Sequence, residues 1–141
     1  MRDEETAASV APGPVSVAVV DDDPTARRLM RFWLERAGYQ VVEHESARSV
    51  LDSEVEAPAL ACVDLGLGEV TGIKVIQHLK ARDAELPIIV VTASGGSNEW
   101  QLLSSIGADR FLVKPVNLDD LISTIRRALR ERSSGNFAIA G

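Results

Sequence analysis

The chain has 141 residues, 45 % of them apolar and 26 % charged, with a net charge of −6 and a pI near 4.9. That length holds one domain with a real core and falls short of two ordinary ones; the acidic balance removes any overall electrostatic reason to bind nucleic acid directly. No apolar run approaches the roughly 18 residues of a membrane span, the N-terminus lacks the basic start and apolar stretch of a signal peptide, and the lone Cys62 reads as a small buried side chain in a reducing cytoplasm.

Residues 1–14 are polar, small and aperiodic, so a disordered lead-in is expected there. Val15 to Val20 is short and β-branched, a first buried strand. It runs into Asp21-Asp22-Asp23-Pro24, where Asp23 reads as a helix N-cap and Pro24 as the first helical residue. Leu29, Met30, Trp33 and Leu34 then recur at helical spacing and are expected inward, with Arg27, Arg28, Arg31 and Glu35 on the other face. Gly38 ends that helix as a left-handed cap. Tyr39 to Glu43 is a second strand, and Ser46 to Asp52 a short helix expected to turn Val50 and Leu51 inward.

Leu60 to Val63 is a continuous apolar run that ends on Asp64 and passes into a glycine-bearing loop, which fits a buried strand of a parallel sheet. Gly72 to Arg82 is a third helix, Pro87 to Thr92 a fourth strand, and Ser97 to Ile106 a fourth helix stopped by Gly107. Phe111 to Val113 is a fifth strand, followed by Lys114-Pro115. The last helix spans Leu118 to about Glu131, capped by Asn117, with Leu121, Ile122, Ile125 and Leu129 inward. Ser133 to Gly141 reads as a flexible tail or the start of a linker, leaving 15–132 as the folded domain. Five strands alternating with five helices make an α/β fold with a doubly wound, five-stranded parallel sheet.

The strands end on Asp21 and Asp22, on Asp64, on Thr92 and on Lys114. Strand ends of one parallel sheet open on the same edge, so these residues should share a cleft. Three carboxylates in one cleft repel: two unit charges about 4 Å apart at an effective dielectric near 20 cost about 4 kcal/mol. An oxygen-loving cation such as Mg²⁺, with Mn²⁺ as a substitute, and the Lys114 ammonium would offset that cost. One carboxylate could then act as a nucleophile toward phosphorus, with Thr92 donating to a phosphoryl oxygen. Nothing in the cluster looks like a general base, which favours transfer from an activated donor over hydrolysis.

At this point the chain resembles the receiver domain of two-component response regulators, over roughly Val15 to Arg130. The resemblance rests on Val19-Val20-Asp21-Asp22, on Asp64 with Gly72 eight residues later, on Val91-Thr92-Ala93, on Phe111 and on Lys114-Pro115, in that order. It implies the flavodoxin-like strand order 2-1-3-4-5. It also implies that Asp64 is the phosphoacceptor, taking a phosphoryl group from a phosphohistidine of a sensor kinase or phosphotransfer protein. Asp21, Asp22, Asp64 and the Gly66 carbonyl would hold the metal, Lys114 would contact the phosphoryl oxygens, and Thr92 and Phe111 would form the switch. A cis Lys114–Pro115 bond and a partner-binding or self-dimerising face on the fourth helix, fifth strand and fifth helix follow from the same resemblance.

Gly68 stands where the family usually has proline, and Gly66 and Ser94 are both small at positions that, by the same resemblance, would tune the access of water to the phosphoryl group. His44 and His78 are not read as ligands. Trp100 fits either core or a signalling face, and Arg27, Arg28 or Arg31 is a candidate for partner contact. A rival reading takes Asp21, Asp23 and Thr25 as the first motif of haloacid-dehalogenase-type phosphatases, with Asp21 as nucleophile. It leaves Asp64 without a purpose and lacks the strand and acidic pair needed after the lysine. A second rival is a receiver-like module working without phosphorylation, although no acidic residue, acceptor or lysine is lost. Whether the receiver stands alone or precedes an output domain is left open.

Overall fold

The computed structural model describes residues 14–54, 57–67, 69–93 and 96–140. All but the last residue of the expected lead-in, together with Gly68 and Ser94, lies outside the described residues. The elements are β1 (Ser16–Val20), α1 (Pro24–Arg36), β2 (Gln40–His44), α2 (Ala47–Asp52), β3 (Leu60–Asp64), a 3-10 turn (Leu65–Leu67), α3 (Glu69–Arg82), β4 (Ile88–Thr92), α4 (Ser97–Ser105), β5 (Arg110–Val113) and α5 (Leu118–Ala140). The strands form one parallel sheet in the order β2-β1-β3-β4-β5. Doubly wound topology and strand order are as anticipated.

Side chains alternate across a strand, so each strand feeds two cores. Ala18, Val20, Ala61, Val63, Ile88 and Val90 face one way, against Val50 of α2, Val75, Ile76 and Leu79 of α3 and Leu103 of α4. Val17, Val19, Leu60, Cys62, Ile89 and Val91 face the other, against Met30 and Leu34 of α1 and Leu121, Ile125 and Ala128 of α5. Both faces of the sheet are thereby covered, which is why β3 and β4 are apolar without alternation and fully buried. Cys62 lies in the second core, where burial pushes its thiol up to about 12 and keeps it unreactive.

Local chemistry sets most boundaries. The Asp23 side chain accepts from the Thr25 amide and Pro24 opens α1. Ser46 caps α2 by accepting from the Ser49 amide, and Asn117 Oδ1 accepts from the Asp120 amide at the start of α5. Gly38 and Gly107, at φ of +100° and +122°, turn the chain out of α1 and α4.

Four details differ from expectation. Leu51 is 41 % exposed while Val50 is buried, because consecutive helical residues point about 100° apart and the short α2 has room for one inward position. Leu29 is 46 % exposed because it points about 100° away from the buried Met30 beside it. Helix α3 begins at Glu69, ahead of Gly72: that glycine lies inside the helix, where a Cβ would stand 2.7 Å from Leu65 Cδ2, so it marks close packing and not a boundary. Helix α5 does not stop near Glu131 but continues to Ala140, so the irregular tail expected from Ser133 is helical. No proline interrupts it, and an established helix gains a bond per added residue at a cost of about 1 kcal/mol or less for each serine, asparagine or glycine.

Candidate functional site

Register builds the site. Val20 pairs with Val63, so Asp21 and Asp64, each one residue further along, leave neighbouring strands side by side. Asp64 pairs with Val91, and Thr92 with Val113, which puts Thr92 and Lys114 one step beyond at the same carboxyl edge. The Lys114 amide donates to the Thr92 carbonyl at 2.8 Å, and the Lys114–Pro115 bond is cis, as expected.

Within the cleft Lys114 Nζ donates to Asp64 Oδ2 at 2.9 Å, and the Gly66 amide donates to Asp64 Oδ1, also at 2.9 Å. Oxygens of Asp21, Asp22 and Asp64 lie within 4.8 Å of one another. Asp21 and Asp64 are both 4 % exposed and Thr92 is buried, whereas Asp22 is open to solvent. Burial and the neighbouring Asp64 carboxyl raise Asp21 to about 6, against the lowering effect of the Asp23 amide and Lys114. Burial pulls Lys114 down, but its hydrogen bond to Asp64 and the charges of Asp64, Asp21 and Asp23 leave it above its ordinary value. A carboxylate held above its normal range, first by burial and then by a neighbouring carboxyl, is one whose charged form a bound cation would favour. Three carboxylates so close together offer hard oxygen donors that suit a hard divalent cation.

The other candidates separate clearly. Asp23 caps α1 and faces solvent. His44 is buried with its Nδ1 2.7 Å from Ser49 Oγ, and burial lowers its pKa against the raising effect of the Ser49 backbone, so its ring is that of a core histidine while its carbonyl accepts from the Asp21 amide. His78 Nε2 is buried without a partner on α3. Trp100 stacks on Phe111, ring centroids 4.8 Å apart and planes 7° from parallel, which couples α4 to β5. That stack was not legible in the sequence, since nothing local ties a helix residue to a strand residue. The arginines of α1 are also not simply solvated: Arg27 Nη1 donates to the Asp21 carbonyl and Nε to Glu43 Oε1, each at 2.8 Å. A hollow of about 500 Å³ opens beside the site, with Asp21, Asp23 and Lys114 at one end and Leu29, Met30 and Trp33 along its wall. A smaller hollow of about 240 Å³ near Lys80, Arg110 and Arg132 is far from these carboxylates and is bordered by ion pairs within the chain.

A parallel sheet of this order, with a buried aspartate held by a lysine beside a second acidic strand end, defines the receiver class of α/β domains. Residues 17–126 match the family described as the response regulator receiver domain, and the chain belongs to that family of two-component signalling proteins. It is 34 % identical over 118 residues to a cyclic di-GMP phosphodiesterase of Thermotoga maritima, a match covering 84 % of this chain and 32 % of that protein. It is 32 % identical over 122 residues to the transcriptional regulatory protein PhoP of Escherichia coli, covering 84 % and 53 %. The chain thus spans about a third to a half of these curated relatives. Among solved structures it is similar to a CheY-like response regulator receiver domain protein of Methanospirillum hungatei, with a TM-score of 0.80, 26 % identity, and coverage of 87 % of this chain and 99 % of that one. The NtrX protein of Brucella abortus is similar too, with a TM-score of 0.81, 26 % identity, and coverage of 91 % and 29 %. The phosphatase reading of Asp21 is not favoured: the family match and the fold both belong to the receiver. No helix among the described residues is long and apolar enough to cross a membrane.

Proposed function

We propose that this receiver takes a phosphoryl group from a phosphohistidine of a sensor kinase or phosphotransfer protein onto Asp64. The observation that carries the reading is the 2.9 Å contact of Lys114 Nζ with Asp64, made beside two further carboxylates within 4.8 Å. Asp21, Asp22, Asp64 and the Gly66 carbonyl would hold Mg²⁺, or Mn²⁺ in its place. Charge gathering on the transferred oxygens is offset by that cation when it is bound. A carboxylate oxygen of Asp64 forms the new O–P bond as the N–P bond of the donor breaks, and the electron pair of that bond stays on the imidazole nitrogen. Lys114 neutralises the phosphoryl oxygens, and the Thr92 hydroxyl donates to one of them.

The switch follows from the same charge. Drawing Thr92 toward the phosphoryl group opens space that Phe111 enters, and Phe111 leaves its stack on Trp100. The face of α4, β5 and α5 then presents a different surface to a downstream partner or a second copy, a population shift between two packings. Catalysis is confined to the domain's own phosphorylation and dephosphorylation, in the cytoplasm.

The test is incubation with phosphoramidate and Mg²⁺ followed by intact mass. One added phosphoryl group is expected on the wild type and on Asp23→Asn, and none on Asp64→Asn. Phosphorylation that survives in Asp64→Asn overturns the assignment.

A further inference from the structure

We propose that Arg27 is a positioning residue for the acidic pair: its guanidinium fixes the peptide between Asp21 and Asp22 and so aims both carboxylates at Asp64. This role rests on the cation-binding reading of the site given above.

Arg27 sits on α1 among residues that look solvated, yet its side chain is only 11 % exposed and is turned back toward β1 and β2. The ladder between β1 and β2 reaches its last rung where the Asp21 amide donates to the His44 carbonyl at 3.0 Å. At the next peptide the chain leaves the sheet, and the Asp21 carbonyl receives Arg27 Nη1 at 2.8 Å. The Asp21 side chain is held separately, its Oδ1 accepting from the Asp23 amide at 2.9 Å. Rotation of the Asp21–Asp22 peptide would swing the Asp22 side chain and pull on both bonds, so the two together fix the direction of the pair.

The same guanidinium reaches Glu43 of β2 through Nε, at 2.8 Å. Neighbouring nitrogens of one planar fork therefore tie the loop after β1 to the end of β2, a geometry that a lysine ammonium does not reproduce. Glu43 also takes Arg31 Nη1 on its other oxygen at 2.7 Å, and Arg31 first, then Arg27, hold its carboxyl below the ordinary range. The Arg27 charge is thus matched by Glu43, and its contribution to a nearby cation site is geometric. Arg31 shares Glu43 but its hydrogen bonds go to Glu43 and Glu35, which makes it the natural control.

The experiment is calorimetric titration of Mg²⁺ into the full chain for the wild type, Arg27→Gln, Arg27→Lys and Arg31→Gln. It is paired with thermal unfolding in EDTA and with ¹⁵N relaxation dispersion at the Asp22 and Asp23 amides. Arg27→Gln is expected to weaken Mg²⁺ about tenfold, the low end of what losing an outer partner of a metal ligand costs, and Arg31→Gln by less than about twofold. Arg27→Gln should also introduce microsecond-to-millisecond exchange at Asp22 and Asp23 in the metal-free protein, a signature that a general loss of stability would not confine to that loop. Arg27→Lys falls between, and decides by the same criteria if the glutamine variant fails to fold. Wild-type affinity with quiet amides in Arg27→Gln, or an equal loss in Arg31→Gln, overturns the role. Failure of the wild type itself to take up Mg²⁺ refutes the cation site instead.

Discussion

Replacing Asp21 by asparagine should make the metal-free protein more stable while removing its affinity for a divalent cation. Asp21 is buried beside Asp64, and its pKa is raised from 3.8 to about 6, burial being the largest cause. A carboxylate whose folded pKa lies above its unfolded value favours the fold when protonated. Stability linked to it is therefore full below about 4 and is lost as pH rises through about 6. At pH 7.5 the full shift corresponds to about 3 kcal/mol, similar to the repulsion of two charges about 5 Å apart at an effective dielectric of 20. Water at the mouth of the site screens part of this, leaving about 1–2 kcal/mol. Asparagine keeps an oxygen for the Asp23 amide, so that hydrogen bond survives. Against a usual total of about 5–15 kcal/mol the gain is readily measured. The assay is urea unfolding of wild type and Asp21→Asn in EDTA at pH 7.5 and pH 5. The variant should have the higher midpoint at pH 7.5, and the difference should shrink at pH 5, where wild-type Asp21 is already largely protonated. Saturating Mg²⁺ should stabilise the wild type, by RT ln(1 + [L]/Kd), and leave the variant almost unmoved. A variant that is equally or less stable at pH 7.5 in EDTA would refute the reasoning, because it would mean that the pair is not electrostatically strained.

Protons should compete with Mg²⁺ at the same carboxyl: calorimetric affinity is expected to be flat above about pH 7 and to fall by up to tenfold per unit below about 6. A profile with no change between pH 7 and 5 would remove Asp21 from the ligand set. The Trp100–Phe111 stack would supply an optical readout of the proposed switch. In Trp33→Phe, which leaves Trp100 as the sole tryptophan, beryllium fluoride with Mg²⁺ should alter the emission, and binding without any spectral change would disconnect Phe111 from the site. Gly107→Ala should cost about 1–3 kcal/mol in chemical unfolding, since the position has a φ of +122° and a Cβ there would meet Lys80 Cε at 2.7 Å. Its Mg²⁺ affinity should match the wild type, because the strain lies away from the carboxylates.

Much of the site was open to reading along the chain. Asp21, Asp64, Thr92 and Lys114 each close or follow a short apolar run, and in a parallel α/β sheet such positions meet at one edge whatever the loops between them do. The Asp23 and Asn117 caps were equally plain, because they act on amides two or three residues away, whereas Ser46, read as the first residue of its helix, caps it instead. Periodicity does not say which strands are neighbours, however, and the adjacency of β1 and β3 that brings Asp21 against Asp64 came from family resemblance before the sheet displayed it.

Long side chains and marginal faces were the opposite case. Arg27 looks like a solvated helix residue until β2 brings Glu43 to it from sixteen positions away, and Trp100 has no defined role until β5 places Phe111 under its ring. Leu29 and Leu51 are apolar, yet each points about 100° away from the buried residue next to it and is left exposed. Backbone preferences and apolar runs are local energies, written residue by residue. The aim of a flexible cation, the stacking of two rings and the limit of a buried stripe depend on which surfaces meet, and those meetings exist only once the sheet has assembled.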